Sequence, residues 1–144
     1  MPDFRILVTA SPFGKTGRKP MDLLESTGWE LVFNPYNRRL RPGEVSGMIH
    51  DVDAIIAGTE VYNHDMLNLA KRLKLISRVG IGLDSIDLEY CRLNQIQVAY
   101  TPDAPSQGVA ELTVSHIISL ARHVHVSDTL VREGTWIRMM GKLV

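Results

Sequence analysis

Short apolar runs rich in β-branched residues recur along the chain, each followed by a stretch of helical character. Five can be counted, at residues 5–9, 29–33, 54–57, 75–79 and 96–100. All are nearly continuous in apolar character, as strands are when both faces of a parallel sheet are covered, so helices are expected on both faces. The alternation predicts βαβ units. The punctuation agrees: Pro20 opens a helix that Gly28 ends, Pro42 opens the next, and Asn63 caps a third running through Leu67, Leu69 and Ala70. A short fourth helix begins near Ser85 or Asp87 and ends around Asn94. With right-handed crossovers the prediction is an α/β chain built on a flavodoxin-like, doubly wound five-stranded parallel sheet in the order 2-1-3-4-5.

After the fifth run the pattern changes. Residues 101–107 hold Pro102 and Pro105 and lead into a long linking helix over residues 108–125, about 18 residues or roughly 27 Å. Val109, Ala110, Leu112, Val114, Ile117, Ile118, Leu120, Ala121 and Val124 cover more than one stripe of it, which predicts burial on several sides. The tail reads as a further helix ending near Gly134, then Trp136, Ile137, Met139 and Met140 with no core of their own. So much apolar surface predicts self-association, and a homodimer through residues 108–144 is the expected form.

Sixteen Lys and Arg balance sixteen Asp and Glu. Neutrality leaves no long-range field to attract nucleic acid or an anionic membrane, and neither is expected as a partner. The basic runs Arg38-Arg39-Leu40-Arg41 and Lys71-Arg72-Leu73-Lys74 lack interleaved aromatics and read as solvated faces. Cys91 is the single cysteine, so no internal disulfide can form. No stretch reaches the ~18 apolar residues of a membrane span, and Met1-Pro2-Asp3 opens no secretory signal, so the expected location is the cytoplasm. The five histidines include no H-E-x-x-H pair, and no metal is expected; His116 reads as a satisfied group rather than a base.

The candidate chemistry lies in loops at the carboxyl ends of the strands, where ligands of open α/β sheets bind. In Arg78-Val79-Gly80-Ile81-Gly82-Leu83-Asp84-Ser85 a strand runs into a glycine turn. A dinucleotide fingerprint would need a third glycine or alanine where Ser85 stands, and should follow the first strand rather than the fourth. Gly80 and Gly82 more simply let backbone N–H groups approach a small anion, helped by the nearby helix start; a tight turn that binds nothing gives the same spacing. Ala57-Gly58-Thr59-Glu60 should face the same cleft, where Thr59 either donates to a ligand or caps its own turn. In Pro105-Ser106-Gln107-Gly108-Val109-Ala110-Glu111, Ser106 reads as an N-cap and Glu111 as a first-turn acid.

The order of motifs resembles the D-isomer specific 2-hydroxyacid dehydrogenase family, notably its phosphoglycerate dehydrogenase-like members. The resemblance is carried by residues 73–87, then Thr101-Pro102-Asp103-Ala104, Val109-Ala110-Glu111-Leu112-Thr113 and Arg132-Glu133-Gly134-Thr135-Trp136. It implies that residues 1–105 are a substrate-binding domain and that residues 106–144 lead towards a domain binding NAD or NADP. It further implies that the backbone of Val79, Gly80, Ile81 and Gly82 holds the carboxylate of a small 2-hydroxy or 2-oxo acid, that Arg78, Gly58 and Thr59 face the rest of it, and that Ser106 and Val109 adjoin the cofactor. Where phosphoglycerate dehydrogenases have an arginine after the third strand this chain has Gly58, and where many members have an asparagine before Ser106 it has Pro105, which argues against a phosphorylated substrate. By the same resemblance the glycine fingerprint and the catalytic arginine, glutamate and histidine belong beyond Val144, so this chain alone is expected to be inactive and to bind no cofactor tightly.

The expected role is thus the substrate-binding part of an NAD-dependent oxidoreductase acting on the CH–OH group of a 2-hydroxy acid. The alternative is a stand-alone small-carboxylate sensor or interaction module. A phosphoacceptor receiver is disfavoured, since the first strand ends in Thr9-Ala10-Ser11 without paired acids and the third in Ala57-Gly58 without an acceptor aspartate.

Overall fold

A computed structural model of the chain describes residues 4–11 and 13–143. It divides into two compact units, one ending at Pro102 and the other beginning at Asp103.

The first unit is a parallel sheet of β1 (Arg5–Val8), β2 (Glu30–Phe33), β3 (Ala54–Ala57), β4 (Leu75–Arg78) and β5 (Gln97–Tyr100) in the order β2-β1-β3-β4-β5. Every pair is parallel, and the register sets Leu7 beside Val32 and Ile55, and Ile55 beside Ile76. Helices α1 (Lys19–Glu25), α2 (Pro42–Met48), α3 (His64–Leu69) and α4 (Leu88–Leu93) form the crossovers. Pro20 and Pro42 sit in the first turns of α1 and α2, while Asn63 and Asp87 cap α3 and α4 by accepting the Met66 and Tyr90 amides. Two apolar clusters pack on the sheet. Leu7, Ile55, Ile76, Val45, Ile49 and Leu67 anchor one; Ile6, Val8, Ala54 and Ile56 the other. Burial on both faces is complete at β3 and fades at the edge strands, where Glu30, Phe33 and Gln97 are exposed.

The second unit differs from expectation. The linking helix is shorter than residues 108–125: α5 spans Ser106–Ala121 and stops before His123, whose left-handed backbone (φ 55°) starts α6 (Val124–Arg132). Ser106 is the first helical residue rather than its cap; Pro105 holds the cap position, with no side-chain bond. Glu111 falls beyond the first turn and pairs with Gln107 instead. Nor is α5 buried on several sides, for none of its residues is buried: Val109 is 61% exposed and Leu120 64%. The physical reason lies in size. Two short helices and an extended tail, all within residues 103–144, offer too few neighbours to enclose an apolar helix.

Candidate active site

At the carboxyl end of the sheet, within the first unit, Ala10, Ser11, Arg39, Gly58, Thr59, Glu60, Arg78 and Val79 line a cavity of about 140 Å³. Its floor is a buried polar network. The Thr9 hydroxyl donates to Glu60 Oε2 at 2.9 Å, so its oxygen accepts from the Tyr62 hydroxyl at 2.8 Å and the Gly58 amide at 3.1 Å. The second oxygen of Glu60 accepts the Leu40 amide at 3.2 Å. Glu60 is only 2% exposed, yet no cation pairs with it among the described residues. Burial above all holds the Tyr62 phenol well above its ordinary range, so it serves as a neutral hydroxyl.

This network explains Gly58. A Cβ there would fall 2.7 Å from Glu60 Oε2 and 3.2 Å from Ala10 Cα, so a larger residue would have to displace the buried carboxylate. Gly80 is likewise constrained: its φ of +145° suits glycine, and a Cβ would meet the Arg78 guanidinium at 2.7 Å.

Arg78 closes the cavity from the end of β4. It is half-buried, a terminal nitrogen donates to the Val79 carbonyl, and its Nε is enclosed without a partner. The backbone that follows divides in two. The Val79 amide donates to Ala57 at 3.0 Å, and the Gly80 amide to the Thr101 hydroxyl at 2.9 Å and the Arg78 carbonyl at 3.0 Å. The amides of Ile81 and Gly82 find no acceptor among the described residues. The expected help from a helix start is missing, because α4 begins only at Leu88 and Asp87 caps it. That distance also removes the geometry of a dinucleotide loop, whose glycines run directly into a helix.

Four of the sequence-predicted residues, Gly58, Thr59, Arg78 and Val79, thus meet around one cavity, and Gly80, Ile81 and Gly82 continue the same loop. Ser106 and Val109 lie exposed on α5, in the unit that begins at Asp103. Ala10, Ser11 and Arg39 were missed, and Glu60, placed at this cleft as part of its loop, was not expected to be buried. Arg39 sits in a basic run that reads as a solvated face, and a lone glutamate in a loop carries no signal of burial.

Residues 7–138 match the family described as D-isomer specific 2-hydroxyacid dehydrogenase, catalytic domain. The chain belongs to that family. Its members are oxidoreductases. The hydroxypyruvate reductase of Thermotoga maritima is 34% identical over 122 residues, covering 80% of this chain and 40% of the relative. The D-3-phosphoglycerate dehydrogenase of Methanocaldococcus jannaschii is 36% identical over 97 residues, 66% of this chain and 18% of the relative. Among solved structures, the TT0316 protein of Thermus thermophilus superposes with a TM-score of 0.82 at 26% identity, over 97% of this chain and 44% of that one. The NAD+-bound 3-phosphoglycerate dehydrogenase of Entamoeba histolytica gives 0.77 at 27% identity, over 96% and 42%. The chain therefore spans less than half the length of these relatives. Among the described residues no helix is long and apolar enough to cross a membrane, and no cluster of His, Cys, Asp and Glu could hold a metal ion.

Proposed function

We propose that this chain is the substrate-binding part of an NAD- or NADP-dependent oxidoreductase acting on the CH–OH group of a 2-hydroxy acid. The observation that carries the reading is the cavity at the carboxyl end of the sheet, which Arg78 lines, followed by a loop that offers the free amides of Ile81 and Gly82. Such donors suit a carboxylate, and a charged acceptor roughly doubles the strength of each bond. Gly58 and Thr59 form the facing wall, with Val79 and Gly80 shaping the loop through their internal bonds. The chain's described residues form no dinucleotide cradle; Ser106 and Val109 are the positions proposed to adjoin a cofactor held elsewhere in the enzyme. Glu60, the carboxylate in the cavity wall, is held by the Thr9 hydroxyl and the Leu40 amide, and we place the proton acceptor for the hydroxyl outside this set. The isolated chain is accordingly inactive and binds neither NAD nor NADP tightly.

NMR titration of the chain with glycerate and pyruvate tests the site. Weak binding should shift the Ile81 and Gly82 amides first, and Arg78→Ala should weaken it about tenfold. Shifts confined to α5 and α6 would overturn the assignment.

The chain is further proposed to pair with a second copy through residues 108–144, supported by the exposure of Val109, Leu112, Trp136 and Met140. Val144 lies outside the described residues. Sedimentation at tens of micromolar should give a dimer that Trp136→Ala with Met140→Ser dissociates. A wild-type monomer at that concentration rejects the pairing.

A further inference from the structure

The loop that carries the free amides of Ile81 and Gly82 runs from the end of β4 to the start of α4, and it is pinned at both ends. Near β4 the Val79 amide donates to the Ala57 carbonyl, while Gly80 gives its amide to the Thr101 hydroxyl and accepts the Thr101 amide at 3.1 Å. At the far end both contacts come from Tyr62. Its amide donates to the Ser85 carbonyl at 2.7 Å and its carbonyl accepts the Asp87 amide at 2.9 Å, a parallel bridge outside the sheet that sets Tyr62 beside Ile86. Tyr62 is itself fixed from the other side. Its side chain is wholly buried, its ring packs in the larger apolar cluster, and its hydroxyl donates to Thr9 Oγ1 at 2.8 Å, just past the end of β1.

An aliphatic residue would fill this core position with no polar atom to satisfy. A phenol brings a buried hydroxyl that needs a partner, and among the described residues that partner is Thr9. The hydroxyl therefore sets how far the ring reaches towards β1, and the ring sets the height of the backbone that grips Ser85 and Asp87. The contacts run from β1 through the turn after β3 to the loop after β4, across three neighbouring strands. Tyr62 does not line the cavity and touches no ligand there. We propose that Tyr62 is a positioning residue, which through its hydroxyl on Thr9 and its bridge to Ser85 and Asp87 holds the Ile81 and Gly82 amides where they meet the acid. This rests on the reading of that loop as the acid-binding element. Hydrogen bonds weaken steeply once donor and acceptor leave their preferred distance and angle, so a small displacement of the loop is felt in affinity. A tyrosine that only filled the core would leave the affinity of the folded chain indifferent to its hydroxyl.

The test titrates glycerate into the chain by NMR in wild type, Tyr62→Phe and Ile49→Val, with urea midpoints and amide hydrogen exchange measured on each. Tyr62→Phe keeps the ring and removes only the hydroxyl. It should weaken glycerate binding by the folded chain about fivefold and speed exchange of the Asp87 amide. Ile49, at the end of α2, is equally buried in the same cluster, and Ile49→Val should lower the urea midpoint while leaving glycerate affinity unchanged. Wild type supplies a reading that needs no variant to fold: because coupling is reciprocal, saturating glycerate should slow exchange of the Tyr62 and Asp87 amides more than that of the amides of α2. The role of Tyr62 is refuted by wild-type affinity in Tyr62→Phe, by an equal loss of affinity in Ile49→Val, or by no such slowing in wild type. In each of those cases glycerate-induced shifts at Ile81 and Gly82 in wild type still uphold the acid site. No shift there in wild type overturns the site and the role of Tyr62 together.

Discussion

At the end of the sheet where the strands begin, the Asp53 carboxylate is 2% exposed and surrounded by donors. It accepts the Arg5 amide at 3.0 Å and the Arg72 guanidinium at 2.7 Å, with the Lys74 ammonium 3.8 Å away. At the end where the strands finish, Glu60 is equally buried but accepts only neutral donors, and the arginines beside it stand without a carboxylate. Both ends bury one acid and gather cations around it. At the first, acid and cations satisfy one another and lock β1 to β3. At the second, the acid is satisfied by hydroxyl and backbone, which leaves cationic capacity facing a cavity. Mutual satisfaction favours stability, and its absence at the second end supports the proposal that this end binds a ligand.

Exchanging a residue at each end is the sharpest way to break this contrast. Asp53→Ala strands the Arg5 amide and should lower the unfolding free energy in urea by about 2–3 kcal/mol. Arg78→Ala, measured beside it, should change stability by less than about 0.5 kcal/mol, because no structural partner depends on its charge. Similar losses in both would show that the two ends do the same work.

A smaller effect separates buried acids from exposed ones. Glu44 bonds to Arg38 and to the Arg41 amide, and these hold its carboxyl down from an ordinary 4.5 to about 2. A carboxyl lowered in the folded state contributes stability that is complete above pH 4.5 and disappears as pH falls towards 2. Because Arg38 is exposed to solvent and Glu44 only half-buried, Arg38→Ala should flatten the acid limb of the stability curve only slightly, and by less than Asp53→Ala lowers stability at neutral pH. A larger loss would mean that the β2–α2 loop depends on this pair rather than on Glu60.

Much of the sheet was legible because local signals agree with the tertiary result. The alternating runs, the prolines opening α1 and α2, and the caps Asn63 and Asp87 all act within one turn of where they stand. The break at His123 was not, because an apolar pattern runs through it and no glycine marks the left-handed position. The site was half legible. Glycines and Arg78 at a strand end point to a ligand from sequence alone. Glu60 depends on Thr9, 51 residues away, and Leu40, 20 residues away, and no local pattern encodes contacts of that span.

Glu60 ties three separate segments, the end of β1, the loop before α2 and the turn after β3, into one rigid rim. A ligand arriving there meets walls that are already ordered. For the proposed acid ligands, association is then expected to be a diffusional encounter with no slow loop closure on this side, and differences in affinity among them to lie in how long each stays rather than in how fast each arrives.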